Sequence, residues 1–219
     1  MNLPIRTNFV LSGLVFLLLA SSLSASEVTI TIEDKKQRSV HDTVVELIGI
    51  SPDASLDDDI EITQVDKEFI PEVSIFSRGT SVLFTNKDPF QHHVYSVSKG
   101  NQFDLPLYKG TPSEHIPFDS PGIVKLGCNI HDWMLAFAYV SQSEYLVVTD
   151  ASGKAQFPDI PEGEYELRIW NPRLKNNKKF ISQALSVGQN LSVEQAVTLS
   201  LRKKIRKPRR IEKSSNYSG

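Results

Sequence analysis

The sequence predicts an all-β fold. Short runs rich in β-branched and aromatic residues recur along the chain, as at 44–48 and 165–170, whereas helical periodicity is nearly absent. Turn-forming residues separate these runs, for example at 87–89 and 120–122. Many short strands divided by such turn signals are typical of β-sandwiches and β-barrels.

Each predicted strand is a run of four to six residues rich in β-branched, aromatic or other apolar side chains, and turn signals lie between the runs. Valine, isoleucine and leucine supply most of the apolar side chains, and tyrosine and phenylalanine most of the aromatic ones. In chain order the predicted strands are 28–32, 44–48, 73–76, 81–85, 93–97, 123–126, 135–140, 145–148, 165–170 and 196–201.

The first 25 residues have the pattern of an export signal. Arg6 precedes an apolar run at 9–20, and small polar residues follow at 21–26. A charged segment, an apolar segment and a small-residue cleavage zone in this order indicate a secretory signal peptide. The apolar run is shorter than the roughly 20 residues that span a bilayer, which favours cleavage over an uncleaved anchor helix. We therefore expect removal of residues 1–25 and a periplasmic mature chain.

Charge is distributed unevenly along the 219 residues. The 24 basic and 26 acidic side chains give a formal net charge of −2, but residues 201–219 alone carry eight basic residues and one acid, a net +7. Since residues 1–25 carry +1, residues 26–200 carry −10. We expect a solvated, disordered tail, with contact to an anionic membrane surface or to an acidic redox partner as the alternatives. Nucleic acid is not an expected partner of an exported chain. The aspartate-rich segment 51–59 is predicted to be a solvated connection.

The chain has a single cysteine, which excludes an intramolecular disulfide, a cysteine-rich zinc finger and a C-x-x-C redox site. An unpaired thiol in an exported protein needs an explanation, and a metal ligand is one. Cys128, His131 and Met134 follow one another within seven residues between two predicted strands. Thiolate, imidazole and thioether ligands favour copper, and two histidines, one cysteine and a weak axial methionine form blue-copper sites.

A second imidazole must come from elsewhere, and the chain has one adjacent histidine pair, His92 and His93. Neighbouring residues of a strand face opposite sides, so one ring can face the metal while the other faces away. Zinc would more usually recruit several cysteines or carboxylates. The alternative without a metal is that cysteine and methionine pack in an ordinary core.

These segments resemble the cupredoxins. The spacing C-x2-H-x2-M is most similar to that of amicyanin and shorter than in plastocyanin and pseudoazurin. The approach to the histidine pair, at 69–72, 78–82 and 84–86, also matches. The family commonly has H-N-V at the first histidine ligand, which maps that ligand to His92. His93 then replaces an asparagine that helps to hold the copper loop, and His93 remains the alternative ligand.

The resemblance covers residues 60–141 and implies a Greek-key β-sandwich with one type 1 copper. The implied ligands are His92, Cys128, His131 and Met134. The implied function is one-electron transport between redox partners such as a dehydrogenase, an oxidase or a cytochrome. An enzyme is not expected, because this ligand set leaves no equatorial position for a substrate. The alternatives are copper delivery or storage, and an adhesion-like sandwich whose metal motif has decayed.

The flanking segments resemble a second family of small β-sandwiches. Residues 146–154 and 157–170 carry the T-D-x-x-G and P-x-G-x-Y elements of transthyretin-like, carboxypeptidase-regulatory modules. Residues 28–50 offer the first half of such a module. We therefore predict a discontinuous immunoglobulin- or transthyretin-like sandwich from 27–52 and 142–200, a scaffold or docking element into which the copper domain is inserted. In the alternative, 27–52 adds strands to the copper domain.

Overall fold

A computed structural model describes residues 26–49, 60–112, 114–175, 180–189 and 192–203. These residues form strands and turns without a helix, which confirms the all-β prediction. Within them, no helix is long and apolar enough to cross a membrane. The predicted signal peptide, the acidic connection at 51–59 and most of the basic tail lie outside the described residues.

The described residues form sixteen strands. They are β1 (Ser26–Asp34), β2 (Val44–Ile48), β3 (Ile60–Val65), β4 (Glu68–Ile70), β5 (Val73–Ser77), β6 (Ser81–Asn86), β7 (His92–Ser96), β8 (Phe103–Tyr108), β9 (His115–Pro117), β10 (Gly122–Gly127), β11 (Leu135–Ser141), β12 (Leu146–Val148), β13 (Lys154–Ile160), β14 (Gly163–Trp170), β15 (Ile181–Val187) and β16 (Ser192–Leu199).

All ten predicted strands overlap an observed strand, but six observed strands were missed: β3, β4, β8, β9, β13 and β15. Three of these contain a proline, Pro106 in β8, Pro117 in β9 and Pro158 in β13, and proline is unfavourable inside a sheet. All three strands lie at the edge of their sheet. An edge strand tolerates proline because one side of it needs no N–H donor for a neighbouring strand.

Residues 60–141 form two sheets, with strand orders β4-β3-β6-β9 and β5-β11-β10-β7-β8. Alternation along the strands directs one set of side chains between the sheets, as in β10, where Val124 and Leu126 are buried and Lys125 is exposed. The ring of Phe118 lies 5.0 Å from that of Phe76 and 6.5 Å from that of Phe84. This core extends to the loop between β10 and β11.

The other two sheets have strand orders β13-β1-β16 and β12-β2-β14-β15. Their strands all come from residues 26–48 and 146–199, and β1 pairs in parallel with β16, near the other end of the described chain. Buried side chains between them include Ile30, Leu47 and Leu167. This membership supports our proposal that 60–141 is inserted into a discontinuous sandwich. The transthyretin-like assignment stays a prediction.

A buried carboxylate joins the two pairs of sheets. Glu46 of β2 accepts a hydrogen bond of 2.7 Å from the Tyr139 hydroxyl of β11 and a second from the Ser141 hydroxyl. Burial and the neighbouring Glu46 carboxylate raise the pKa of Tyr139 well above its ordinary value. Because a buried carboxylate is costly unless it is hydrogen-bonded, these two donors make the junction specific.

We expect Phe118→Ala to lower the free energy of unfolding by about 3–5 kcal/mol, since this fully buried ring contacts three other aromatic rings. Urea unfolding of the metal-free protein measures the change. Val97→Ala is the matched control, because Val97 is 77% exposed and should change stability by less than about 0.5 kcal/mol. Equal losses in the two variants would contradict this core.

Candidate metal centre

Three metal-ligating side chains converge at one end of the 60–141 sheets. His92 lies on β7, and Cys128 and His131 lie in the loop between β10 and β11. Their donor atoms are all within 4.8 Å of one another. Cys128 Sγ is 3.8 Å from His92 Nδ1 and 3.9 Å from His131 Nδ1. The structure therefore brings together three of the four side chains that the sequence singled out.

Strand pairing determines the shape of the loop. Gly127, the last residue of β10, pairs with Leu135, the first residue of β11, so the loop of residues 128–134 closes at its base. A Cβ at Gly127 would lie 2.9 Å from the Tyr95 ring, so a larger residue at this position would require that ring to shift. The backbone N–H of Met134 donates to the carbonyl of His131 at 2.9 Å. This turn directs Met134 back into the core, where it is 2% exposed and belongs to the same cluster as Cys128.

His92 and His93 have different surroundings. His92 is fully buried and faces the cysteine, whereas His93 lies outside the donor cluster. His93 Nε2 is 2.5 Å from Asp104 Oδ1, and His93 Nδ1 is 2.9 Å from Asn129 Nδ2. The resemblance expects an asparagine at the position of His93, where it would help to hold the loop. Here His93 itself contacts the loop through Asn129, which directly follows Cys128.

The sequence interpretation overlooked Asp88, which holds His92 from behind. Asp88 Oδ2 is 2.7 Å from His92 Nε2, and both groups are buried. The backbone N–H groups of Asp66 and Lys67 also donate to this carboxylate, at 2.7 and 2.9 Å. A carboxylate on the outer nitrogen of an imidazole fixes the orientation of the ring and leaves the other nitrogen, here Nδ1, for a metal.

Hydrogen bonds lower the pKa of the Asp88 carboxyl despite its burial. Burial by itself raises the pKa of the Asp88 carboxyl. The hydrogen bonds from His92 and from the backbone N–H groups of Lys67 and Asp66 outweigh burial, so the net pKa lies below its ordinary value. The sequence signal was weak, because Asp88 lies in a 87–89 turn where aspartate is common.

The turn between β3 and β4 links the two ligand-bearing segments. Its central residues, Asp66 and Lys67, have φ of 52° and 61°, as in the two-residue turns of β-hairpins. Asp88 holds the two N–H groups of this turn, and Trp133 Nε1 donates to the carbonyl of Lys67 at 3.1 Å. Trp133 lies between His131 and Met134 in the ligand loop. The turn at Asp66 and Lys67 therefore contacts both that loop and Asp88, which holds His92.

Aromatic side chains cover the two imidazoles. The Phe90 ring lies 5.2 Å from the His92 ring and 5.8 Å from the His131 ring, and the Trp133 ring lies 5.2 Å from His131. Lys67 Nζ is 5.1 Å from the centre of the Phe90 ring, a cation–π contact. This cover limits the access of water to the donor atoms. Tyr108 of β8 pairs with His92 of β7, and burial raises the pKa of Tyr108 to about 12.

The donor set fits copper. Two imidazole nitrogens and one thiolate lie close enough to share an ion, and a buried thioether belongs to the same cluster. Thiolate, thioether and imidazole are all ligands that suit copper, and two histidines, one cysteine and a weak axial methionine are the ligand set of blue-copper sites. In the described part of the chain, no other group of three or more His, Cys, Asp or Glu side chains is arranged to hold a metal.

Comparisons with known proteins give structural neighbours alone. No protein-family model matches the chain, and no curated protein matches its sequence. A purple cupredoxin from Nitrosopumilus maritimus is 22% identical, with a TM-score of 0.34, over 38% of this chain and 100% of that one. A reduced Cu(I) form of an amicyanin variant is 18% identical, with a TM-score of 0.35, over 44% of this chain and 98% of that one.

A copper-containing nitrite reductase from Thermus scotoductus is 22% identical over 44% of this chain, with a TM-score of 0.36. That match spans only 25% of the nitrite reductase.

Asp88→Asn should lower the free energy of unfolding of the metal-free protein by about 1.5–3 kcal/mol, the range for a hydrogen bond to a charged group. The asparagine side chain would present N–H groups to a site where three N–H groups already point. Urea unfolding gives the value, and Asp104→Asn is the control, because the Asp104 side chain is 72% exposed. If Asp104→Asn costs as much as Asp88→Asn, burial of the Asp88 carboxylate is not the cause.

Proposed function

We propose that this protein is an exported type 1 copper protein that carries single electrons between redox partners in the periplasm. The observation that carries the proposal is the convergence of Cys128 Sγ with the Nδ1 atoms of His92 and His131. Met134 is proposed as the weak axial ligand because its thioether is buried in the same cluster. Bound copper would supply a one-electron couple between Cu(II) and Cu(I).

The surroundings of the donors restrict their movement. Cys128, His131 and Met134 share one short loop that the pairing of Gly127 with Leu135 closes. His92 lies on a different element and is held by a buried carboxylate. A preorganised set of ligands resists rearrangement between the two oxidation states of a metal, and a small rearrangement favours fast electron transfer. This rigidity supports a carrier rather than a site that opens to release its metal.

His131 is half-buried, whereas the other two side chains of the donor cluster, His92 and Cys128, are buried. Phe90 and Ile130, which are 36% and 48% exposed, present apolar side chains on this part of the chain. We propose that a dehydrogenase, an oxidase or a cytochrome docks on this surface and exchanges electrons through His131. We propose no catalytic role for the centre, because protein ligands would fill all of its equatorial positions.

Reconstitution of the purified mature chain with Cu(II) tests the proposal. We expect a strong visible charge-transfer band from thiolate to copper and reversible one-electron reduction, and Cys128→Ser should abolish the band while the chain still folds. Tight Cu(I) binding without such a band would instead indicate copper delivery or storage. Failure to bind either ion would exclude both functions.

Paired histidine variants test the ligand assignment. His92→Ala should abolish the charge-transfer band, because it removes the nitrogen 3.8 Å from Cys128 Sγ. His93→Ala is the matched control and should keep the band, since the His93 ring is directed to Asp104 and Asn129. Visible and electron paramagnetic resonance spectra of both copper-loaded variants decide the question. The opposite result would assign the metal to His93.

A further inference from the structure

The carboxylate of Asp88 has no cationic lysine or arginine to balance its charge. The side chains of His92 and Asp88 are 0% and 6% exposed, and His92 Nε2 lies 2.7 Å from Asp88 Oδ2. Within the described ranges, His92 is the one side chain that forms an ion pair with Asp88. The other donors, the backbone N–H groups of Asp66 and Lys67, are dipoles without a net charge. Because buried charges are normally paired or bound to a metal, this charge must be balanced through His92.

Asn86 fixes the loop that carries Asp88. Its side chain is buried, and its Oδ1 accepts a hydrogen bond of 2.9 Å from the backbone N–H of Asp88. Its Nδ2 donates to the backbone carbonyls of Phe90, at 2.9 Å, and of Tyr108, at 3.0 Å. Because the loop is held both at Asp88 and at Phe90, the carboxylate and the His92 ring keep one relative position.

The charges around the donor cluster influence which oxidation state of copper it favours. The thiolate of Cys128 and the carboxylate of Asp88 contribute two negative charges, whereas neutral imidazoles and a thioether contribute none. With Cu(II) this set of groups is neutral, and with Cu(I) it carries one net negative charge in buried surroundings. A net charge is costly away from water, so the Asp88 carboxylate disfavours Cu(I).

A second effect of the carboxylate acts in the same direction. A carboxylate on the outer nitrogen of a ligating imidazole makes the other nitrogen a stronger donor, and stronger donation stabilises the more highly charged ion, Cu(II). We propose that Asp88 is a positioning residue that acts through His92 and lowers the reduction potential of the centre. This inference rests on the proposed copper function and adds to it the residue that regulates the potential.

The neighbouring histidine provides an internal comparison. Asp104 is bonded to His93 as Asp88 is bonded to His92, with Asp104 Oδ1 2.5 Å from His93 Nε2. The Asp104 side chain is 72% exposed, however, and His93 lies outside the donor cluster. Water and salt screen the charge of an exposed carboxylate. Of these two aspartate–histidine pairs, we therefore expect only the buried one to influence the copper.

Competition with chelators measures the affinities of the mature chain for Cu(II) and for Cu(I), and electrochemistry measures its reduction potential. Asp88→Asn keeps the size of the side chain and removes its charge. We expect the Cu(II) affinity to fall by about 10–100-fold and the Cu(I) affinity to fall much less. A tenfold change in the ratio of the two affinities raises a one-electron potential by about 59 mV. Equal losses of both affinities would indicate a structural role alone and would overturn the proposal.

Asp88→Ser is a second neutral variant, without an amide N–H to oppose the backbone donors, and it should also raise the potential. Asp104→Asn is the matched control and should leave the ratio of affinities unchanged, so an equal shift in this variant would overturn the proposal. Circular dichroism verifies that each variant is folded. The charge-transfer band of the unsubstituted protein tests the proposed function separately, because the ratio responds to Asp88 even if the copper is stored rather than used for electron transport. A chain that binds neither ion would overturn both proposals.

Discussion

The buried carboxylate of Asp88 is the interaction on which the geometry of the candidate metal centre depends. It accepts hydrogen bonds from the His92 ring and from two backbone N–H groups of the turn at Asp66 and Lys67. A charged group in this position is stable only because all three donors point at it. The same turn accepts a hydrogen bond from Trp133 in the ligand loop. The Asp88 carboxylate thus fixes the relative positions of segments that are far apart in the chain.

Strand geometry then separates two adjacent histidines that are chemically identical. The alternation of β7 places His92 in the buried donor cluster and directs His93 to Asp104 and Asn129. His93 nevertheless contributes to the centre, because Asn129 directly follows Cys128. One ring therefore contacts the cysteine directly, and the other holds the cysteine loop from outside.

The two pairs of sheets meet at a polar junction. Glu46 is buried there and accepts hydrogen bonds from two hydroxyl groups, while Arg168 Nε has no acceptor among the described residues. Apolar contacts also cross the junction, since the Trp170 ring of β14 lies 5.3 Å from the Phe137 ring of β11. Apolar contacts and a few directed hydrogen bonds thus fix the contact between the two pairs of sheets together.

The sequence by itself determined the all-β class, ten of the sixteen strands and the grouping of Cys128, His131 and Met134, because each depends on neighbours in the chain. It did not reveal β8, β9 and β13, whose prolines are acceptable only at a sheet edge that the strand order creates. Only the tertiary structure decided which histidine meets the cysteine and identified Asp88 and Glu46 as buried acceptors. Those outcomes depend on contacts between distant residues, such as Asp66 with Asp88 and Glu46 with Tyr139, and no local pattern encodes them.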